Sequence, residues 1–577
     1  MRLFQNLRKP LRRNAEKITT LSFTHSFPNS ALNKTLGSEP QHTAPPDSLS
    51  LFNYTSGRWL YNESRRLSER YLQFNIVELK RAVAQAVNHS EDDIQGFRKL
   101  AEGGFNRTFE ITMKDGLQTI ARLPYPSTLP KRYAVASEVA TMDLLRSYGL
   151  PVPQVHGYSV TSNNPVGCEY IIMEKMAGKE IGNAWYDMSV SERKSVTSEV
   201  TKLEAIMFSI PLPGFGSIYH KRDLAATDKS IDIPAHQGLC IGPDAALEWW
   251  CDGRDSLAID RGPFADPCQL MEAVARKELA WLRQFGRARF PFHRHHREFL
   301  DYKKSSPDEH IKHLEMYLQV SSHLVPKAQP ALLRPTIRHP DLQPHNIFVS
   351  DDLSIVGLID WQHSSVLPLF LQAGVPKYWQ NPSDEPVVIE KPSLPPNYET
   401  LDKAEQARAM DIYRQKQSHL MYLGYTSKFN SSHMDAYLIE GLPFKRRIFE
   451  HARAPWEGEN IPLQTDLILT MQNWQGLTGS PGGHEQVPIA CPISFPQAEA
   501  DECLRQDLLL KEVDAEMENV RETIGIASDG WVPTNEYDGA VKKNEFIRQQ
   551  VIDRAEDEVD RQASLRHYPF DDHDEDE

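Results

Sequence analysis

No apolar run in this chain approaches the roughly 20 residues needed to span a bilayer, so a transmembrane segment is not expected. The six cysteines, Cys168, Cys240, Cys251, Cys268, Cys491 and Cys503, contain no CxxC pair and no secreted-domain spacing. That excludes paired-cysteine metal motifs and disulfide scaffolds, and leaves reduced structural thiols in a reducing compartment. The G-x-S-x-G elbow is also missing, which removes the commonest hydrolase arrangement. Positive charge is in deficit: 64 Lys and Arg face 79 Asp and Glu, for a net charge of -15. This argues against broad nucleic-acid binding, because phosphate backbones are held mainly by clustered basic side chains.

At the N-terminus the deficit reverses. Arg2, Arg8, Lys9, Arg12, Arg13, Lys17 and Lys34 stand against Glu16 alone in the first 38 residues, among many Ser and Thr. A basic, hydroxyl-rich, acid-poor start reads as a mitochondrial transit peptide, running with a disordered linker over residues 1–50 and implying the matrix. The six acids from Asp571 to Glu577 read as a solvated tail after a charged helical stretch, so 526–577 is expected to be a C-terminal helix and acidic end.

Between these ends, 577 residues exceed one ordinary core and predict two lobes with added helical material. Residues 51–94 read as an N-terminal helical segment, on the apolar periodicity of Ile76, Leu79, Val83 and Ala86. Residues 95–188 read as a small lobe: strands at Phe97–Leu100, Arg107–Ile111 and Leu117–Leu123, a turn at Asp115-Gly116, a helix over 134–148, then a strand at Tyr170–Met173. Residues 189–525 read as a large, mainly helical lobe with inserted helices at about 221–335. The segment Trp456 to Gly483 reads as loop, and His293, Arg294, His295 and His296 as a solvated basic turn.

Chemistry concentrates in His339-Pro340-Asp341-Leu342-Gln343-Pro344-His345-Asn346, an H-x-D-x-x-x-x-N spacing followed by the apolar run Ile347–Val349. After a turn, a second run, Ile355 to Ile359, delivers Asp360. A strand hairpin of this kind presents Asn346 and Asp360 at one mouth, as oxygen ligands for the Mg²⁺ that accompanies ATP. Asp341 is the candidate catalytic base and His339 a brace for its loop. Upstream, Gly103, Gly104, Phe105 and Asn106 form a first hairpin able to approach phosphates. Arg122 occupies the strand position of a phosphate-contacting Lys, with Glu138 as its ion-pair partner on the following helix. Glu174 and Met176 end the strand where an adenine ring would meet backbone groups.

These motifs resemble the aminoglycoside phosphotransferase and choline kinase-like superfamily over roughly residues 95–375, with Ile359-Asp360-Trp361 in place of a protein kinase's D-F-G. Over a longer span the chain is similar to a fungal mitochondrial family, altered inheritance of mitochondria protein 9. The resemblance implies an α+β, bilobal protein-kinase-like fold with an antiparallel-sheet N-lobe and a helical C-lobe. It also implies a nucleotide and a small-molecule acceptor as partners. Arg122 departs from the usual Lys, and the absence of an A-P-E segment argues against a peptide platform. The alternative is a nucleotide-binding pseudokinase serving as a mitochondrial scaffold or assembly factor.

Overall fold

A computed structural model describes residues 48–182, 184–185, 187–381, 391–479, 489–575 and 577. The basic segment, and with it the transit-peptide reading, lies outside the described residues before position 48.

The chain enters through a short strand, β1 (Gly57–Trp59), and helix α1 (Ile76–Ala86), whose first turn is closed by the Asn75 side chain accepting from Glu78 N at 3.1 Å. Five antiparallel strands follow: β2 (Ile94–Glu102), β3 (Asn106–Met113), β4 (Gln118–Pro124), β5 (Val155–Ser159) and β6 (Tyr170–Glu174), in the order β2-β3-β4-β6-β5. The Asp115-Gly116 turn falls as expected, with Gly116 at φ 91°. β5 had no expected counterpart, since its five residues follow two prolines and carry no clear alternation.

Side-chain alternation gives this sheet two apolar faces. Phe109, Ile111, Met113, Ala121, Leu123 and Ile172 point to one side and pack with Leu72, Phe74, Leu79 and Val83 of the N-terminal segment. Ile120, Ile171 and Met173 point to the other, against Val135 and Val139 of helix α2 (Tyr133–Ser147). α2 is buried on almost every side, because large-lobe strands cover the face that the sheet leaves free.

β7 (Lys179–Glu180) leads into the large lobe and helix α3 (Val190–Ser209), which opens with a Ser189/Glu192 capping box. The insert at about 221–335, expected to be helical, opens instead with β9 (Ile231–Asp232) and β10 (Leu239–Gly242), which form a three-stranded sheet with β8 (Ser217–His220) just before it. These strands are too short to leave a periodic signal. Helices α4 (Pro267–Phe285), α5 (His295–Phe299) and α6 (Pro307–Leu324) follow. Two small sheets then carry the central motif: β11 (Pro335–Ile337) pairs with β14 (Val366–Pro368), and β12 (Ile347–Val349) lies between β13 (Ile355–Leu358) and β7.

Helix α7 (Lys403–Phe429) packs along α3. Part of the segment expected as loop, Ile461–Gln472, is helical with Leu463, Leu467 and Ile468 buried. Helices α8 (Gln497–Ile524), α9 (Tyr537–Asp553) and α10 (Glu558–Arg566) close the chain, together with strand β15 (Trp531–Pro533), which pairs with β1. The acidic end is not a free tail. Glu575 is buried and its carboxylate meets Arg65 at 3.2 Å and Arg66, while Glu577 reaches Arg297 at 3.4 Å. Sequence alone hid this because the cations that fix the acids lie hundreds of residues away.

Candidate active site

The β12–β13 hairpin brings the central motif together. Ile347 stands opposite Leu358, so the next pair outward is Asn346 and Ile359, joined by the Ile359 N–H to the Asn346 carbonyl at 3.0 Å. Asp360 therefore emerges one residue beyond Asn346's partner. His339 locks the loop to this hairpin: Nε2 donates to the Ile359 carbonyl at 2.8 Å and Nδ1 accepts the Asp341 N–H at 3.1 Å. That pattern needs a neutral imidazole with its proton on Nε2, and burial holds the pKa of His339 below its ordinary value. Asn346 Nδ2 donates to the Asp341 carbonyl at 2.9 Å, and Gln343 donates to the Asp341 carboxylate, which is exposed.

The residue before His339 anchors the same loop from beneath. Arg338 donates from Nε to Glu204 Oε1 at 2.8 Å, from Nη1 to the Gln372 carbonyl at 3.0 Å and from Nη2 to the Tyr422 hydroxyl at 2.8 Å. Tyr422 in turn donates to Glu204 Oε2 at 2.5 Å. Arg338 was not among the expected site residues, since its partners come from α3 and α7, far away in sequence.

Arg122 and Glu138 form the ion pair that their spacing anticipates, and Arg122 also donates from Nη2 to Asp360 Oδ1 at 2.6 Å and to Gln362 Oε1 at 3.0 Å. The Asn106 amide packs against the same guanidinium, its oxygen placed to accept from Arg122 Nε at 3.1 Å and Nη2 at 2.6 Å. A planar guanidinium can serve several acceptors at once, which a lysine ammonium on this strand would do less well. Burial pushes the Glu138 carboxyl up to about 7 against the pull of Arg122. Asp360 keeps a partly exposed side chain, and although desolvation pushes it up, the adjacent Arg122 charge and hydrogen bond bring it below the ordinary carboxylate value. Asp360 holds φ 68°, in the left-handed region that Asp tolerates better than most residues. Gln362 is the polar bridge sequence reasoning missed; its place two residues after Asp360 was the available signal.

The first hairpin is tighter than expected. Gly103 donates its N–H to the Asn106 carbonyl at 2.9 Å, so that group closes the turn instead of facing a ligand, whereas Gly104 has open space where a Cβ would stand. Phe105 is exposed and meets His363 edge-on, with ring centroids 5.2 Å apart. At the lobe junction the Glu174 side chain accepts from Gln154 N at 3.1 Å and Arg146 at 3.3 Å, and the Glu174 N–H is taken by the Gln154 carbonyl at 2.8 Å. Met176 lies on Gly357 of β13, where a Cβ would stand 3.0 Å from its Cγ. Gly178 has φ 86° and would set a Cβ 2.4 Å from the Val349 carbonyl oxygen, so only glycine allows β7 to approach β12 here.

The architecture is thus a bilobal, protein-kinase-like α+β fold, and residues 96–371 form a domain of the phosphotransferase enzyme family, whose model they match. Among its relatives, a subtelomeric hrmA-associated cluster protein of Aspergillus fumigatus is 31% identical over 516 residues, covering 84% of this chain and 98% of the relative. Altered inheritance of mitochondria protein 9 of Yarrowia lipolytica, named as mitochondrial, is 24% identical over 484 residues, covering 75% of this chain and 78% of that protein. Of solved structures, a streptomycin-ATP-APH(2")-IIa ternary complex is 13% identical, covers 70% of this chain and 99% of that chain, and has a TM-score of 0.33.

Proposed function

We propose that the protein is an ATP-dependent phosphotransferase that moves the γ-phosphoryl group to a hydroxyl of a small-molecule acceptor. The observation carrying this reading is that Asp341, Asn346 and Asp360, together with the Arg122–Glu138 pair, meet on one hairpin mouth with His339 as their brace.

The donor set fits Mg²⁺. Asn346 spends an amide hydrogen on the Asp341 carbonyl, leaving its oxygen as the ligating end, and the Asp360 carboxylate stays ionised beside Arg122. Both are hard oxygen donors. Neutralising the triphosphate is the chemistry Mg²⁺ supplies when bound. Asp341 orients the acceptor hydroxyl and takes its proton as the new O–P bond forms and the bond to the β-γ bridging oxygen breaks. Arg122 binds phosphate oxygens from β4. Gly104, Phe105 and Asn106 close over the phosphates, Gly103 shapes that turn, and the backbone from Glu174 to Met176 borders the adenine. The basic segment before residue 38 and the mitochondrial name of one group of relatives, altered inheritance of mitochondria protein 9, support action inside mitochondria.

Mg·ATP binding and single-turnover transfer from labelled ATP into a metabolite extract test this reading. Asp360→Asn weakens Mg-dependent nucleotide binding, and Asp341→Asn abolishes transfer with nucleotide binding retained. No Mg·ATP binding by the wild type would sink the proposal; binding with cellular function unchanged in Asp341→Asn would point to the scaffold alternative. A reporter fused to residues 1–50 that stays in the cytosol would defeat the assigned location.

A further inference from the structure

Helix α5 begins with two adjacent histidines, and adjacent helical side chains point about 100° apart. Nevertheless, Nε2 of His295 and Nε2 of His296 meet the same oxygen, Oδ1 of Asp514, at 2.9 and 2.7 Å. Asp514 stands on α8, and the three donor atoms all lie within 4.8 Å of one another. Both imidazoles are nearly closed to solvent, at 6% and 5% side-chain exposure, whereas the carboxylate is 53% exposed and gives the cluster an open side. The solvated basic turn read from sequence is therefore corrected: this tract is an interface, and its carboxylate partners were invisible because they come from α8 and from the segment before Ile461.

Behind the cluster, His296 Nδ1 lies 2.6 Å from Glu459 Oε1. A carboxylate holding the far nitrogen of an imidazole is the usual second support of a metal-bound histidine, because it fixes the ring and raises its basicity. The His293 ring centroid stands 5.4 Å from those of both His295 and His296, placing a third imidazole beside the pair. A cavity of about 150 Å³ opens on the His296 and Glu459 side, between α5 and α8.

We propose that His295, His296 and Asp514 form a binding site for a divalent transition-metal ion, Zn²⁺ by its donor chemistry, which clamps the insert onto α8. Two imidazoles and one carboxylate suit Zn²⁺ far better than Mg²⁺ or Ca²⁺, which favour oxygen. Zn–N and Zn–O bonds of about 2.0–2.2 Å set tetrahedral donors roughly 3.3 Å apart, so each contact to Asp514 opens by about half an ångström. Each Nε2 then turns a lone pair to the ion, while Glu459 keeps the His296 Nδ1 proton. His293 or water completes the coordination. This site is separate from the Asp341–Asp360 mouth and does not depend on catalysis there.

The test uses the full-length chain, stripped with chelator and titrated with Zn²⁺ or Co²⁺ against a chromophoric competitor, in millimolar Mg²⁺ to occupy weak oxygen sites. The expected result is one equivalent of Zn²⁺ held at submicromolar Kd. The Co²⁺ complex should show visible bands of tetrahedral nitrogen and oxygen ligation without the near-ultraviolet thiolate band that the six cysteines would produce. Zn²⁺ should also raise Tm. Asp514→Asn and His295→Gln should abolish both effects, and Glu459→Gln should weaken binding by about 10–100-fold. A wild-type protein without a submicromolar equivalent, or a Co²⁺ spectrum with thiolate bands, overturns the proposal even if a variant misfolds. So does undiminished binding in a folded Asp514→Asn protein.

Discussion

Replacing Arg122 with Met removes the guanidinium that faces Glu138, Asp360 and Gln362 together. Asp360 is 43% exposed and finds water, but Glu138 is 3% exposed and cannot. Removing one partner of a buried ion pair costs about 3–5 kcal/mol when the other must remain charged. Glu138 has a second course, because burial already holds it at about 7, and losing the pull of Arg122 raises it further. For a group whose folded pKa is raised, the folded state binds the extra proton. The associated stability is full below the unfolded value of 4.5 and falls as pH rises through the folded value. In the wild type that fall ends near pH 7; in Arg122→Met it continues upward at up to about 1.36 kcal/mol per pH unit.

At pH 6.5 the variant should therefore lose only its hydrogen bonds, roughly 1–2 kcal/mol. At pH 8.5 the loss should be larger by about 2 kcal/mol. Urea unfolding followed by tryptophan fluorescence at the two pH values measures the difference, and adding Glu138→Gln should abolish it. An equal loss at both pH values, or a smaller one at pH 8.5, would falsify the reasoning.

His339→Ala should unpair the Ile359 carbonyl and the Asp341 N–H, lowering turnover more than nucleotide affinity, as single-turnover kinetics beside ATP titration would record. Because the folded pKa of His339 is depressed, its contribution to stability is present above the unfolded value of 6.5 and lost as pH falls through the folded one; unfolding midpoints at pH 7.5 and 5 should show an acid-side loss that His339→Ala reduces. Gly178→Ala should cost about 1–2 kcal/mol for φ alone, plus the clash with Val349, and should raise KM for ATP; thermal melts and steady-state kinetics read both. Glu575→Ala should lower stability by about 1–2 kcal/mol and expose the C-terminal segment to limited proteolysis, because Arg65 and Arg66 lose their buried acceptor.

The small lobe was legible because its strands alternate, its turn carries Asp115-Gly116, and its helix has apolar residues at helical spacing. The candidate site was legible wherever chemistry and spacing coincide within a short window, as from His339 to Asp360. What could not be read was everything built from distant pairs. Arg338 is a plain charge in sequence, yet in the fold it joins Glu204 and Tyr422. Glu174 is read from sequence only as the end of a strand, yet in the fold Gln154 and Arg146 take its carboxylate. The short strands from Ser217 to Gly242 and the helix Ile461–Gln472 depend on neighbours that cover them, so local propensity underdetermines both.

The pairing of β1 with β15 also orders events in time. Gly57 meets Pro533 and Trp59 meets Trp531, while the indole nitrogen of Trp59 reaches Asp529 at 3.0 Å across 470 residues. A chain made from its N-terminus therefore holds this strand ready through nearly its whole synthesis, with no edge to join until the last segment arrives. The small lobe's sheet can assemble early from local contacts, whereas the seam that fastens its leading strand to the C-terminal segment must wait for residues 531–533 to be made.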